Sequence, residues 1–325
     1  MLASMSLSRL PAPPADPSNA VADDPRAAAW GAKLFGDVRL SRNGKLSCAG
    51  CHQPGKFFTD GLPRAKGLGV SKRHAPGLLG VAYSPWLFWD GRADSLWAQA
   101  LGPLGHADEL GLSRAQLKRI IGEHHRAEYA ALFGAIAAQP AERVAVNVGK
   151  SLAAFQRGLR PAPARFDAGA LDERERRGFS LFIGAAQCSR CHFGPLLTNH
   201  SFHNTGTASA ADHGRSEGLR LALASGVNCR SAYSDDPKRA CPKLEFARVG
   251  AAQWLGAFKT PSLRNVGATA PYLHDGRFNT LAQVLDHYNR APAADLRWGH
   301  SELFPLGLDK SQLGDLERFL LTLGP

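Results

Sequence analysis

Apolar residues recur at helical spacing in four stretches of the chain. This spacing predicts helices over residues 27–35, 144–155, 171–182 and 313–320. In the second stretch the apolar side chains return every three or four residues, which places them on one face of the helix. The alternation of apolar and polar residues that marks strands is nearly absent. The pattern therefore predicts a mainly α-helical protein.

The predicted helices fall into two matching halves. The first half opens with a helix that carries Leu34 and Phe35, and the second opens with one that carries Leu181 and Phe182. In each half a Cys-x-x-Cys-His sequence follows, then a long stretch rich in glycine and proline, then a closing helix. We interpret the chain as a duplicated architecture.

This interpretation divides the chain into three parts. We expect a loose N-terminal arm at residues 1–25, one domain over residues 26–160 and a second over residues 161–325. The boundary falls at Pro161, which suits a linker, and Asp167 resembles the cap of the next helix. The arm has no continuous apolar region of a secretory signal, so we expect that a signal has been removed or replaced.

Composition narrows the class of protein. With 34 glycines and 21 prolines among 325 residues, helical domains would lack core unless a large group filled their interior. The chain has 39 Lys and Arg against 28 Asp and Glu, a net charge of +11. This charge either only keeps the protein soluble or attracts an anionic partner or cofactor. The basic residues are scattered and no nucleic-acid motif occurs, so we expect no nucleic acid as partner. No apolar stretch approaches the ~18 residues of a membrane helix, so we expect no membrane insertion.

The two Cys-x-x-Cys-His sequences are the strongest chemical signal. They consist of Cys48, Cys51 and His52, and of Cys188, Cys191 and His192. Two thiols at this spacing add across the vinyl groups of a haem, while the following histidine binds its iron. A zinc site or a redox dithiol is the alternative, but neither calls for a histidine after each pair. The sequence predicts two covalently bound c-type haems, one in each domain.

Two further cysteines and the methionines bear on the environment of these haems. Cys229 and Cys241 flank a polar loop and predict a disulfide, with two free thiols as the alternative. Haem attachment and thiol oxidation both point outside the reducing cytosol, so we expect a periplasmic location. Met1 and Met5 are the only methionines and both lie in the arm, so we expect no His/Met-ligated haem. Histidine, tyrosine, lysine or an open position remains, and an open ferric haem invites peroxide.

Two longer segments carry a family resemblance. LFWDGRADSLWAQALGPLGHADELG at residues 87–111 and FKTPSLRNVGATAPYLHDGRFNTLAQVLDHYNR at residues 258–290 resemble motifs of the bacterial di-haem cytochrome c peroxidases, which include MauG. The resemblance covers nearly everything from about residue 26 to the end. It implies two cytochrome c-like domains, each wrapped around one haem. The first haem would react with peroxide and the second would relay electrons.

The resemblance also implies roles for individual residues. Trp89 matches the tryptophan between the two haems, with a core aromatic as the alternative. Glu109 matches the carboxylate that moves a proton between the peroxide oxygens, although taken alone it reads as a solvated surface residue. Gln99 and Pro103 match residues that line the same pocket.

The chain departs from the family pattern at the haem ligands. The distal histidine of many members matches Leu68, so an open first haem is the simplest expectation, with His74 and Lys72 as possible substitutes. The distal methionine of the second haem matches Tyr288, which resembles MauG; the alternative is that this tyrosine only packs on its helix.

The calcium site of the family is also altered. The carbonyl groups of Thr269 and Pro271 match two of its ligands, but an asparagine ligand matches His74. Loss of a hard oxygen ligand puts one bound calcium ion in doubt.

The sequence thus predicts a periplasmic haem-dependent peroxidase that reduces hydrogen peroxide, with MauG-like high-valent chemistry as a possible extension. The electron donor would be a small redox protein or an oxidisable side chain of a protein substrate, as for a MauG-type oxidase. The competing interpretation is a di-haem electron-transfer cytochrome without catalysis, and Glu109 with an open haem position argues against it.

Overall fold

A computed structural model of the protein describes residues 2–209, 212–292 and 295–325 and shows a mainly helical chain, as expected. Met1, part of the predicted arm, lies outside the described residues. The described α-helices are α1 (Leu2–Met5), α2 (Pro25–Gly36), α3 (Cys48–Cys51), α4 (Leu96–Gly105), α5 (Arg114–His124), α6 (Arg126–Phe133), α7 (Ala141–Arg157), α8 (Glu173–Ile183), α9 (Arg215–Ala224), α10 (Pro242–Glu245), α11 (Leu281–Arg290) and α12 (Lys310–Leu321). The described strands, β1 (Phe202–His203) and β2 (Phe258–Lys259), pair antiparallel with Phe202 opposite Lys259.

The four predicted helices are α2, α7, α8 and α12. The predicted cap of α8 is wrong. Asp172 caps this helix, because its carboxylate accepts from the Glu175 N–H while the Glu175 side chain accepts from the Asp172 N–H. Asp167 lies too far from the first turn, and instead accepts from Leu7 N–H at 2.7 Å and pairs with Arg264 at 2.8 Å.

Each half buries its own hydrophobic cluster, one within residues 30–153 and one within residues 166–323 joined by Met5. In the first, α7 packs against α2 and α4; in the second, α12 packs against α8 and α11. Both crossings are close. A Cβ atom on Gly31 would collide with the Ser151 carbonyl, and one on Gly178 would collide with the Asp315 carbonyl. The matching contacts support the duplication read from the sequence.

The N-terminal arm is packed against the protein rather than loose. Met5 is 2% exposed within the second cluster, and its carbonyl accepts from Arg264 at 2.6 Å. Farther along the arm, Ser18 accepts from the Trp97 indole at 2.9 Å, and Asp23 pairs with Arg157 at 2.8 Å. Polar side chains of both halves hold this segment, which apolar periodicity does not reveal. Because Met5 is buried in the second cluster, looseness of the arm gives no reason to exclude a methionine as haem ligand.

A second duplication joins the two halves. Residues 73–103 and 258–288 each contain a short 3₁₀ turn, an Asp-Gly-Arg turn and a helix, α4 or α11, in the same order. The two copies bond to each other reciprocally: the His74 N–H donates to the His274 carbonyl, and the Lys259 N–H to the Trp89 carbonyl, both at 2.8 Å. This contact brings the second half against the loop that carries Trp89.

A buried ion cluster fixes the same contact. The Arg73 guanidinium pairs with Asp90 of the first half at 2.7 Å and with Asp212 of the second half at 2.6 Å. Arg215 extends it, because its guanidinium donates to the Gly91 carbonyl at 2.7 Å. Charges buried on both sides of a contact hold its geometry, since removing one partner leaves another charge unpaired.

Candidate functional site

The first Cys-x-x-Cys-His sequence forms the short helix α3 and is arranged to bind a metal through its histidine. The Nδ1 atom of His52 lies 3.0 Å from the Phe58 carbonyl, and this hydrogen bond makes Nδ1 the donor, so Nε2 is the nitrogen through which the neutral imidazole would bind a metal. Burial lowers the pKa of His52, which favours the neutral imidazole that a metal requires. Cys48 and Cys51 are free thiols, and burial raises their pKa values to about 12 and about 11.

The second sequence repeats this arrangement. His192 Nδ1 lies 2.9 Å from the Leu197 carbonyl, and burial lowers the pKa of this histidine to about 4. Cys188 and Cys191 are also free thiols. Among the described residues the four thiols form no common metal cluster, which argues against the zinc alternative. Neither pair is oxidised to a disulfide, so each keeps two sulfur atoms and one imidazole available, the groups that a c-type haem needs.

A cavity of about 570 Å³ lies beside the first Cys-x-x-Cys-His sequence, and residues from both halves of the chain line it. This volume lies within the usual range of cofactor pockets. The predicted site residues that line it are Cys51, His52, Trp89, Gln99, Pro103, Glu109, Thr269 and Pro271. The structure therefore brings together residues that lie up to 220 positions apart in the sequence (Cys51 to Pro271).

The Asp-Gly-Arg turn positions Trp89. Leu87 and Ala93 bridge across the turn, and Gly91 has a φ of 69° at a point where Phe202 and Arg215 approach too closely for a side chain. The Trp89 indole donates to the His74 carbonyl at 2.9 Å. Trp89 is thus held by hydrogen bonds on both its side chain and its carbonyl, at the contact between the two halves.

Glu109 lies just beyond the end of α4. Its carbonyl accepts from the Leu68 N–H at 3.0 Å, and its side chain is 32% exposed. Burial raises the pKa of the carboxyl group, while the charges of His106 and Arg92 lower it. Its own charge contributes to the raised pKa of Cys48, so it lies near the first thiol pair. A partly buried carboxyl group with a raised pKa is suited to carry a proton.

Gln99 and Pro103 lie four residues apart on α4 and therefore face the cavity from the same side of that helix. Helix α4 begins at Ser95, whose hydroxyl accepts from the Ala98 N–H at 3.4 Å. Pro103 presents no atom that binds iron.

The two proposed substitutes for a distal histidine both line the cavity, but they differ in their contacts. His74 Nδ1 lies 2.7 Å from the Leu62 carbonyl, and the imidazole is buried. Lys72 is exposed. Leu68 packs against the segment of Glu109 through the hydrogen bond to its carbonyl. Ligation of the first haem by His74 or Lys72 stays a prediction.

Tyr288 lies beside the second thiol pair, on α11. Burial raises the pKa of its phenol well above the usual range, and Cys188 and Cys191 add to this shift. In the duplicated segments Tyr288 takes the place that Pro103 has on α4, since both lie 14 residues after the residue that precedes Asp-Gly-Arg. The internal repeat, DGRADSLWAQALGP against DGRFNTLAQVLDHY, is a signal for this position that the sequence analysis missed.

The sequence analysis also missed His203. This residue of β1 pairs with Glu302 at 2.7 Å, and its pKa is raised to about 9, first by Cys191 and then by Glu302. It therefore lies at the second thiol pair, 11 residues beyond His192, where no motif marks it.

Two further predictions have different outcomes. The Cys229–Cys241 disulfide is confirmed. Thr269 and Pro271 line the same cavity as His74, but calcium binding stays a prediction. In the described part of the chain, the one cluster of three potential ligands is Asp94 with Cys229 and Cys241, and the disulfide occupies both sulfur atoms.

No helix of the described chain is both long and apolar enough to cross a membrane.

Sequence comparisons show which known proteins the chain is similar to. Residues 25–175 match the family described as di-haem cytochrome c peroxidase. The chain is 36% identical over 315 residues to the methylamine utilization protein MauG of Methylorubrum extorquens, covering 92% of this chain and 78% of that protein. It is 31% identical to the cytochrome-c peroxidase IdrP1 of Denitromonas iodatirespirans, covering 96% of this chain and 86% of that protein.

Among solved structures, the chain is similar to a diheme peroxidase and to a MauG-like protein. The diheme peroxidase BthA of Burkholderia thailandensis superposes with a TM-score of 0.76 at 26% identity, over 93% of this chain and 86% of that one. A MauG-like protein associated with microbial copper homeostasis superposes with a TM-score of 0.73 at 29% identity, over 97% of this chain and 95% of that one. The similarity extends along nearly the whole chain.

Proposed function

The chain belongs to the di-haem cytochrome c peroxidase and MauG family, and from this premise we propose that it reduces hydrogen peroxide at the first site, with electrons relayed through Trp89 from the second. Membership makes it a haem-dependent oxidoreductase with two c-type haems. We further propose a periplasmic location, and a division at about residue 160 into two cytochrome c-like domains, each around one haem.

The haem-holding residues follow from the two thiol pairs. Cys48 and Cys51 would hold the first haem and His52 would bind its iron; Cys188, Cys191 and His192 would do the same for the second. When bound, the haems supply the redox-active iron. The hydrogen bonds from the Nδ1 atoms to Phe58 and Leu197 orient each imidazole.

The observation that carries the proposal is the position of Glu109 in the cavity that Cys51 and His52 also line. Cleavage of the O–O bond needs a proton moved from one peroxide oxygen to the other. The raised pKa of Glu109 suits this transfer, because the carboxyl group then gains and loses a proton nearer to neutral pH. Gln99 would orient the peroxide from α4, and Pro103 would leave the iron accessible.

Trp89 supports the relay because it lies where the two halves meet. Its carbonyl is bonded to Lys259 of the second half, and its indole is bonded to His74 of the first. This fixed position favours electron transfer between the sites over a role in packing alone. The position of Glu109 in the cavity disfavours a simple electron carrier, which has no use for a proton-transferring carboxyl group.

Substitution of Glu109 tests the function directly. Glu109→Gln should keep both haems and their ferric spectra but slow the reaction with peroxide about 10²–10⁴-fold, the usual contribution of a positioned acid–base group. Stopped-flow mixing with peroxide measures this rate. The exposed Glu123→Gln serves as the control and should react like the parent. A parent protein that shows no rapid spectral change with peroxide would contradict the peroxidase proposal and leave the carrier.

Tyr288 favours a second candidate, oxidation of a protein side chain as in MauG. It lies beside Cys188 and Cys191, where the ordinary peroxidases of the family have methionine. Turnover with a small reduced redox protein would favour the peroxidase. Peroxide-dependent oxidation of an added protein, seen by mass spectrometry, would favour the MauG-type activity.

A further inference from the structure

Lys259 differs from Lys150 and Lys243, two other lysines whose pKa is lowered by desolvation. Lys150 pairs with Asp235 at 2.7 Å, and Lys243 is attracted by the Asp94 carboxylate. Among the described residues no carboxylate lies within ion-pair distance of the Lys259 ammonium, and burial lowers its pKa to about 8 with no opposing charge. An ammonium withdrawn from water without a counter-charge is costly, so proteins rarely retain one without a partner.

The side chains around Lys259 offer further donors. Its ammonium donates to the Ser84 hydroxyl at 2.8 Å. That hydroxyl lies 3.2 Å from His200 Nδ1 and can donate its own hydrogen to it. Burial and the Lys259 charge lower the pKa of His200 to about 4, so the imidazole is neutral, and with Nδ1 as the acceptor its proton is on Nε2. No described residue bonds to that atom.

Lys259, Ser84 and His200 line the cavity that also contains Cys51 and His52. The two remaining ammonium N–H groups and the His200 Nε2–H are donors, and no acceptor is left over. Lys259 also has a counterpart in the duplicated segment, since it lies 185 residues after His74. The His74 Nδ1 atom is hydrogen-bonded to the Leu62 carbonyl. The Lys259 ammonium has no carbonyl partner among the described residues, and its partner is the Ser84 hydroxyl.

We propose that Lys259 and His200 form a carboxylate-binding site for a propionate of the haem attached at Cys48 and Cys51. A haem carries two carboxylates, and a cavity wall with an unpaired ammonium and a free imidazole N–H is complementary to one of them. The proposal rests on the proposed function, because it requires a haem in this cavity. Lys259 acts here as a positioning residue that sets the electrostatic potential at the first iron.

The test is a redox titration of the haem-loaded protein, followed by visible and EPR spectra that separate the two haems. A cation near the propionate favours the ferrous state, because it offsets the negative charge of the carboxylate. Lys259→Met should therefore lower the reduction equilibrium constant of the first haem about tenfold, which is about 59 mV for one electron. Lys259→Arg keeps the charge and should stay near the parent. Lys310→Met removes an exposed lysine and should change neither haem.

Intact mass separates the possible failures. A parent protein without haem at Cys48 and Cys51 would refute the proposed function itself. Both haems present with an unchanged first potential in Lys259→Met, or a shift confined to the second haem, would overturn the propionate site alone. If Lys259→Met does not fold, Lys259→Gln keeps a polar side chain at this position and removes only the charge; an unchanged first-haem potential in that variant would also overturn the site.

Discussion

At the scale of single residues, one difference between the two copies of the repeat bears directly on iron ligation. Pro103 and Tyr288 occupy corresponding places on α4 and α11, but only tyrosine carries an oxygen that binds iron. The first haem would therefore keep an open position for peroxide, while the second would be ligated on both faces. On the proposed function, this difference between Pro103 and Tyr288 would distinguish the reactive site from the relay site.

Replacing Tyr288 tests this division. We expect the resting ferric protein to give one high-spin and one low-spin EPR signal, and Tyr288→Phe to alter the low-spin signal only. An anionic phenolate favours ferric iron, so the reduction potential of the second haem should rise in the variant. Tyr233→Phe, at a tyrosine that packs against the hydrophobic cluster of the first half, is the control. If Tyr288→Phe leaves the low-spin signal unchanged, Tyr288 does not bind iron and only packs on its helix. The assignment of two haems would still hold.

At the scale of elements, the first helix of each half crosses the last at a glycine. Gly31 faces Ser151, and Gly178 faces Asp315, so the backbones approach more closely than any side chain would permit. These crossings support the helices that precede the two thiol pairs. They thereby set where each haem would attach.

Gly31→Ala should destabilise the protein by about 1–3 kcal/mol, because the added methyl group forces α2 away from α7. Gly36→Ala, on the same helix but with open space around it, should be neutral or stabilise by up to about 1 kcal/mol through a smaller loss of backbone entropy. Urea unfolding of the haem-loaded protein, followed by circular dichroism, measures both. Equal effects of the two substitutions would show that the crossing tolerates a side chain.

At the scale of the whole molecule, the two halves hold one another around the cavity. Arg73 with Asp90 and Asp212, together with the reciprocal backbone hydrogen bonds, ties the Trp89 loop to the second half. The packed N-terminal arm adds contacts to both clusters. The site thus depends on the assembly of both halves rather than on either alone.

Intact mass after periplasmic expression should exceed that of the polypeptide by two haems. The double variant Cys48→Ser, Cys51→Ser should retain one haem, because the second pair lies in the other half. It should also lose the reaction with peroxide while the low-spin EPR signal persists. Retention of both haems in this variant would rule out attachment at Cys48 and Cys51.

The sequence by itself determined the helical class, the repeated halves, the position of the two Cys-x-x-Cys-His sequences and the Cys229–Cys241 disulfide. Each of these depends on local information, namely apolar periodicity or the spacing of cysteines along the chain. The motif segments also named Trp89 and Glu109, but only through likeness to a family. They did not indicate what lies around those side chains.

Only the tertiary structure decided how distant segments meet. The structure shows that the N-terminal arm is packed, through contacts with Arg157 and Arg264. The sequence did not predict these contacts, because both arginines are far from the arm in the chain and no local motif identifies them. The structure placed His203 at the second thiol pair, and it gave Lys259 no carboxylate partner among the residues that the structure describes. Burial and charge pairing are properties of the assembled protein, and a sequence pattern cannot supply them because they depend on contacts between residues that are distant in the chain.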